Sequence, residues 1–240
     1  MSEAFPKSDG FTFARLDSLE ARLVAHDWGW ARDNADAIAA HWAERQAAKP
    51  ALFDGPVLLA CACTVTDGAC TIDLFEAAFS EFLAFRDGGS PDPSVTNAFA
   101  AIVPWSCDGA AVLGVMGRES ANAGQIYFPC GTPDPSDVRE GRHVDLAGSA
   151  RREFLEETGL RVPSEAVVNW VLVSGERQHA FLHPVHFPEE AAGLIARMEG
   201  HRSTEAEPEL SGFVAVRSRA DLDADRMPGF VRAYLTASCR

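Results

Sequence analysis

The run Arg152-Glu153-Phe154-Leu155-Glu156-Glu157-Thr158-Gly159-Leu160 concentrates the chemistry-bearing side chains of this 240-residue chain. At about 100° per residue, a helix projects Glu153, Glu156 and Glu157 within an arc of roughly 100°. Ala147, Ala150 and Phe154 form an apolar stripe beside that arc, so one side of the helix can pack on a sheet while the acidic side faces a cleft. Folding alone does not call for this pattern. Glu153 and Glu157 are a like-charge i,i+4 pair, which costs about 0.2–0.5 kcal/mol. All three acids also sit near the helix C-terminus, where the macrodipole disfavours negative charge by roughly 0.3–1 kcal/mol each. Arg152 lies four residues before Glu156 and can hold that carboxylate, which leaves Glu153 and Glu157 as the pair in need of a divalent ion. Hard oxygen donors suit Mg²⁺ or Mn²⁺ better than zinc. The competing reading, from charge pattern alone, is a solvated acidic face.

The elements that must position this helix follow from periodicity and turn residues. A helix is expected over 145–158, with Asp145 as N-cap and Gly159 ending it in a left-handed turn. Before it, 98–105 and 110–116 read as a hairpin around Asp108-Gly109, followed by a short strand at 125–128. After it come strands at 167–173 and 180–186, a helix at 189–201, a strand at 212–216 and a helix at 228–237. The stretch 86–95 is dense in Gly, Pro, Ser and Asp and marks a joint, dividing the chain into residues 1–94 and 95–240. In the first part, a helix is expected over 33–49, with Asp33 or Asn34 as N-cap and Pro50 beyond its end. Strands at 56–66 and 70–74 flank Asp67-Gly68. Residues 72–85 then run on with the helical face Leu74, Phe75, Ala78, Phe79 and Phe82. The whole reads as an α/β protein: a small α/β N-terminal subdomain before a mixed sheet covered on both faces by helices.

Residues 131–160 resemble the Nudix box, whose usual form is Gly, five residues, Glu, seven residues, then Arg-Glu-apolar-any-Glu-Glu-any-Gly-apolar. The second half is matched at every fixed position from Arg152 to Leu160. Tyr127-Phe128-Pro129-Cys130-Gly131 is similar to the strand and loop that lead into the box, with Cys130 where Gly is common. Gly131 precedes Arg152 by 21 residues where the pattern has 14, so the loop 132–144 is longer, and Val144 stands where the first Glu belongs. Asp137, Glu140 or Asp145 are the candidates for its role. The resemblance implies a Nudix-type α/β/α sandwich and a Mg²⁺- or Mn²⁺-dependent pyrophosphohydrolase acting on a nucleoside diphosphate linked to another group. It implies Glu153 and Glu157 as metal ligands, Glu156 as an auxiliary ligand, Arg152 as its orienting partner, and the Cys130 carbonyl as a further ligand. A homodimer accords with family habit.

The segment His41-WAERQAAKPALFDGPVLLA-Cys61 is similar to the N-terminal region of Nudix hydrolases that split UDP-glucose and UDP-galactose, which makes a UDP-sugar the narrower expectation. A coenzyme A diphosphatase is the alternative enzyme, since 124–129 partly matches a motif of that group. A Nudix fold that senses a nucleotide without turnover is the alternative outside enzymes. General-base candidates are Glu156, Glu157 and, from the acidic stretch 204–211, Glu205, Glu207 and Glu209. Arg118 can meet a phosphate or stand as a surface charge, and Tyr127, Trp105 or Trp170 can stack on a base or belong to the core.

Composition closes other routes. With 21 Lys+Arg against 35 Asp+Glu the formal charge is −14, and the only lysines are Lys7 and Lys49, so nucleic acid is not an expected partner. No apolar run approaches the ~18–20 residues that span a bilayer, and the N-terminus has no export-signal pattern, which points to a cytoplasmic protein without a membrane partner. The six cysteines form no CxxC pair, and most of them read as small buried hydrophobes. His179, His183 and His186 make a poor metal triad, because in a strand His186 points away from the other two.

Overall fold

The computed structural model describes residues 10–163, 166 and 168–239. In chain order the elements are β1 (Thr12–Leu16), β2 (Ser18–Leu23), α1 (Gly29–Asp33), α2 (Ala35–Ala48), β3 (Pro56–Thr66), β4 (Ala69–Ala78), α3 (Phe79–Asp87), β5 (Asn97–Trp105), β6 (Ala111–Met116), β7 (Ile126–Tyr127), α4 (Leu146–Thr158), β8 (Trp170–Gly175), β9 (Gln178–His186), α5 (Ala191–Arg202), β10 (Leu210–Val216) and α6 (Gly229–Ser238). The main sheet has the order β1-β8-β9-β5-β6-β10, with β7 on β6; β5 and β9 are parallel and the other pairs antiparallel. A second sheet has the order β2-β4-β3.

Alternation along the strands builds the layers. Ala98, Ala100 and Ile102 of β5 face a core shared with Ala150 and Phe154 of α4 and Leu194 and Met198 of α5. Phe99, Ala101 and Val103 face the opposite core, against Phe230, Val231 and Tyr234 of α6. Helices therefore cover both faces of the mixed sheet, giving the expected α/β/α sandwich. The second sheet works the same way on a smaller scale: Leu58, Ala60, Ile72 and Leu74 join the core beneath α4, and Val57, Leu59, Phe75 and Ala77 pack with α1 and α3. Among the described residues no helix is long and apolar enough to cross a membrane.

Several expectations need correction. Residues 72–85 are not one helix: the chain stays extended to Ala78 because β4 pairs with β3 throughout, and only then does α3 begin. Asp67 and Gly68 do form the tight turn, both with positive φ (49° and 80°), the conformation a two-residue hairpin needs. β5 and β6 meet only at Trp105 and Ala111, while β5 spends its length on β9. Strands β1 and β2 were not foreseen. β1 lies on the edge of the main sheet beside β8, so the first 94 residues lend a strand to the larger layer, and Leu16 and Ile72 share a core with Ile102 and Phe154. Asn34 caps α2 by position only, its amide bonding back to the Trp30 carbonyl. β8 starts at Trp170; Val167, where its start was expected, lies outside the described residues, as does Lys7.

Candidate active site

Helix α4 is fixed at both ends as its sequence requires. The Asp145 carboxylate accepts the Gly148 amide at 2.8 Å, and Gly159 takes φ +69° while its amide returns to the Leu155 carbonyl. His201 of α5 sits under that last turn, its Nε2 2.9 Å from the Glu156 carbonyl. With Ala150 and Phe154 in the core, the glutamates are directed to one flank of the helix.

Each acidic residue has a different environment. Glu157 is buried, and its Oε2 has no hydrogen-bond partner. Burial, then Glu209, Glu153, Glu156 and Glu205, pushes its pKa up to about 9. Glu153 is half-buried; burial raises its pKa, against the pull of Arg152, whose Nη1 donates to it at 2.6 Å. Glu156 is exposed and lies 3.5 Å from the same guanidinium nitrogen. Arg152 is thus held mainly by Glu153 and by Asp137 rather than by Glu156: its Nη2 reaches the two Asp137 oxygens at 3.2 and 3.3 Å. Burial opposes the charge on Arg152, yet Glu153 and Asp137 outweigh it and keep its pKa above the ordinary value.

Of the acids in the long loop, Asp137 is the one that meets Arg152. It is 1% exposed, and besides Arg152 it accepts the Ser149 hydroxyl at 2.9 Å and the Asp134 amide at 3.2 Å. A 3₁₀ turn at Pro135–Asp137, capped by Asp134, presents it. The loop brings this carboxylate back to α4, and Val144 is buried in the core beneath it. Asp145 is occupied as the N-cap, and Glu140 lies in a separate short turn.

Across from α4, the backbone after β7 closes on the carboxylates. A Cβ placed on Gly131 would lie 2.8 Å from Oε2 and Cδ of Glu153, so only glycine lets the chain pass here without moving that side chain. Cys130, immediately before it, has its thiol raised by burial and then by Glu157 and Glu153, which places it against the same charges. From the acidic stretch ahead of β10, Glu209 comes to this cluster; its carboxyl is raised by partial desolvation, Glu156 and Glu205. Glu205 is half-buried beside His201, and Glu207 points to solvent.

Next to Cys130 and Gly131 opens a cavity of about 430 Å³, walled also by Phe82 and Arg86 of α3 and by Tyr127. Arg86 donates to Asn122 at 3.1 Å, Asn122 donates to the Tyr127 hydroxyl at 3.2 Å, and Lys49 donates to the Ser120 carbonyl, so helices of the N-terminal part hold the loop 117–124. Arg118 of that loop is exposed and does not line the cavity. Trp105 and Trp170 are core residues; Trp170 packs on Phe181 and His183. His179 bonds Ser174 and His186 stacks on Trp105, so the three histidines do not converge. Cys107 is exposed, unlike Cys70 and Cys239, which are buried as expected.

Among the described residues, no group of three or more His, Cys, Asp or Glu side chains already stands as a metal cage. The residues nonetheless fit a hard cation. A buried carboxylate oxygen without a donor, surrounded by further carboxylates, is an unmet demand for positive charge.

No family model and no curated protein matches the chain. Two solved structures show a weak likeness to the chain. One is a Nudix hydrolase from M. smegmatis, RenU: 18% identity, TM-score 0.34, covering 57% of this chain and 78% of that one. The other is a mutant of the Bacillus subtilis pyrophosphohydrolase BsRppH: 18% identity, TM-score 0.28, covering 52% of this chain and 64% of that one. Both likenesses concern the backbone over little more than half of the chain; the chemical reading rests on the side chains.

Proposed function

We propose that this protein is a divalent-metal-dependent pyrophosphohydrolase that cleaves a nucleoside diphosphate linked to another group, with a UDP-sugar as the substrate class of choice. The observation that carries this reading is the partnerless, buried Oε2 of Glu157 among Glu153, Glu156 and Glu209, beside a cavity large enough for a nucleotide.

Glu153 and Glu157 would hold Mg²⁺ or Mn²⁺, with the Cys130 carbonyl to complete the set. Bound there, the ion would neutralise phosphoryl oxygens and make a coordinated water acidic enough to attack phosphorus. Arg152, clamped by Asp137, fixes the Glu153 carboxylate and opposes the rise that burial gives its pKa. Gly131 lets the diphosphate-facing loop lie against that carboxylate. Glu209, at the rim and with a raised pKa, is the residue to accept the proton of the attacking water on a carboxylate oxygen. Water attack on the anhydride then gives a nucleoside monophosphate and a phosphorylated fragment. The sugar-nucleotide choice is supported by the likeness of residues 41–61, by the α3 residues that wall the cavity and by the bonds of Lys49 and Arg86 to its loop.

The test is chromatographic: UDP-glucose, UDP-galactose, ADP-ribose and coenzyme A are each incubated with the full chain and Mg²⁺, and the nucleoside monophosphate or phosphorylated products are measured. Turnover of UDP-sugars that is lost with Glu157→Gln is the expected result. Turnover of coenzyme A alone would select the alternative enzyme. Tight binding of a nucleotide with the wild type and Glu157→Gln equally inert would make the protein a sensor.

A further inference from the structure

The cavity contains a feature that metal and phosphate chemistry leaves unused. Asn97 and Gln178 open β5 and β9, and in the parallel register of these strands they are direct partners, so their side chains stand together at the same end of the sheet. Both line the cavity, on the face that Phe99, Ala101, Ala180 and Leu182 give to the α6 core. Asn97 Oδ1 is buried without a hydrogen-bond partner. In a folded protein such an atom costs about as much as a lost hydrogen bond unless a ligand or ordered water satisfies it. Around the two amides the walls are aromatic: Phe99 meets Phe230 edge-on at 5.2 Å, and Phe79 meets Phe82 at 6.2 Å on α3. The lining mixes these aromatic rings with polar side chains, Arg86, Asp87, Asn122 and Gln125 besides the two amides, and rings flanked by amides match a flat heteroaromatic ring that has a hydrogen-bonding edge.

We infer that Asn97 and Gln178 are the base-reading residues of this cavity and select a nucleobase with a protonated ring nitrogen beside a carbonyl, as in uracil and guanine. The orphan on Asn97 is an acceptor and calls for a ring N–H, while the Gln178 amide can donate to the neighbouring carbonyl. Cytosine and adenine present an unprotonated ring nitrogen at that edge and would leave the Asn97 oxygen facing a lone pair. The inference rests on the reading of a nucleoside diphosphate substrate and deepens it: Cys130 and Gly131 wall the same cavity and touch the carboxylate cluster, so a base held by the two amides extends its phosphates toward Glu153.

Binding of nucleoside monophosphates to the full chain, measured by calorimetry with Mg²⁺, tests the pocket separately from turnover. UMP and GMP should bind about tenfold or more tightly than CMP and AMP, because a site built to hydrogen-bond one edge rejects an analogue that leaves it unpaired. Asn97→Ala and Gln178→Ala should each reduce that preference to within about threefold while leaving Mg²⁺ binding unchanged. Should Asn97→Ala fail to fold, Gln178→Ala, at a half-buried strand end, carries the test alone. Four monophosphates binding alike, none binding, or a preference that survives the substitutions would each overturn the inference. Base discrimination that the substitutions erase, in a protein that cleaves no anhydride, would uphold the pocket and remove the hydrolase.

Discussion

Asp137 and Glu157 are both buried carboxylates within reach of one helix, yet they are opposites. Asp137 is met from every side, by the Arg152 guanidinium, the Ser149 hydroxyl and the Asp134 amide. Glu157 has an oxygen that nothing meets, and its nearest charged neighbours are acids. A buried carboxylate with a full set of donors is part of the scaffold; one left without donors among like charges costs stability unless something from outside completes it. The same helix therefore carries a structural acid contact on one flank and an unfinished site on the other, and substitutions should separate the two.

The largest separation is in catalysis. Glu157→Gln keeps shape and removes the charge, and kcat should fall by about 10²–10⁴-fold, with the metal-free melting temperature at neutral pH little changed, since Glu157 is protonated there in the absence of a cation. A kcat within threefold of wild type would place the chemistry elsewhere.

Metal binding should follow proton release. Because Glu157 holds its proton up to about pH 9, each ion bound must displace one, and Mg²⁺ affinity should rise about tenfold per pH unit below that value. Stability runs the other way. A carboxyl whose folded pKa is raised from the ordinary 4.5 favours the folded state fully below pH 4.5, and that contribution is lost as pH rises toward about 9. In chelator, the melting temperature should therefore decline across this window, and saturating Mg²⁺ should restore it. Glu157→Gln should flatten both dependences; a slope that survives the substitution would assign the proton to another group.

Asp137→Ala probes the finished carboxylate. Arg152 keeps Glu153 and is partly solvated, so the screened loss is about 1–3 kcal/mol of unfolding free energy rather than the larger figure for a sealed ion pair. Denaturant titration measures it.

These contrasts mark where the chain was legible. The acidic helix could be read to the residue because its stop and start signals are local: Asp145 caps, Gly159 turns left-handed, and the glutamate spacing fixes the flank. The Asp67-Gly68 hairpin was legible for the same reason. What escaped depends on distant pairing. Thr12–Leu16 and Ser18–Leu23 are short, half-exposed runs that become strands only because β8 and β4 wait for them. Phe75 and Ala78 fit a helical face in sequence, but β3 holds them extended. In the long loop, three acids were equal candidates by spacing. The Asp134-Pro135 pair just before Asp137, which starts the capped turn that presents it, is the local signal that could have singled it out. The Asn97–Gln178 pair had no signal at all, because a parallel register joining residues 81 apart in sequence leaves no local mark.

The smallest effect concerns Glu156, and it sharpens the comparison from the third side. Spacing alone made it the natural partner of Arg152, four residues away on one face. The guanidinium instead turns to Glu153 and Asp137, leaving Glu156 in solvent with a 3.5 Å contact. Its charge still reaches Glu157 and Glu209, both of whose carboxyls it helps to raise. Glu156→Gln should therefore leave stability within about 0.5 kcal/mol and change kcat by no more than about threefold at pH 8, with a slight weakening of Mg²⁺ binding from the lost field. A loss of activity comparable with that of Glu157→Gln would mean that Glu156 swings inward onto the ion. The distinction between an exposed and an unfinished carboxylate would then hold only for the metal-free protein.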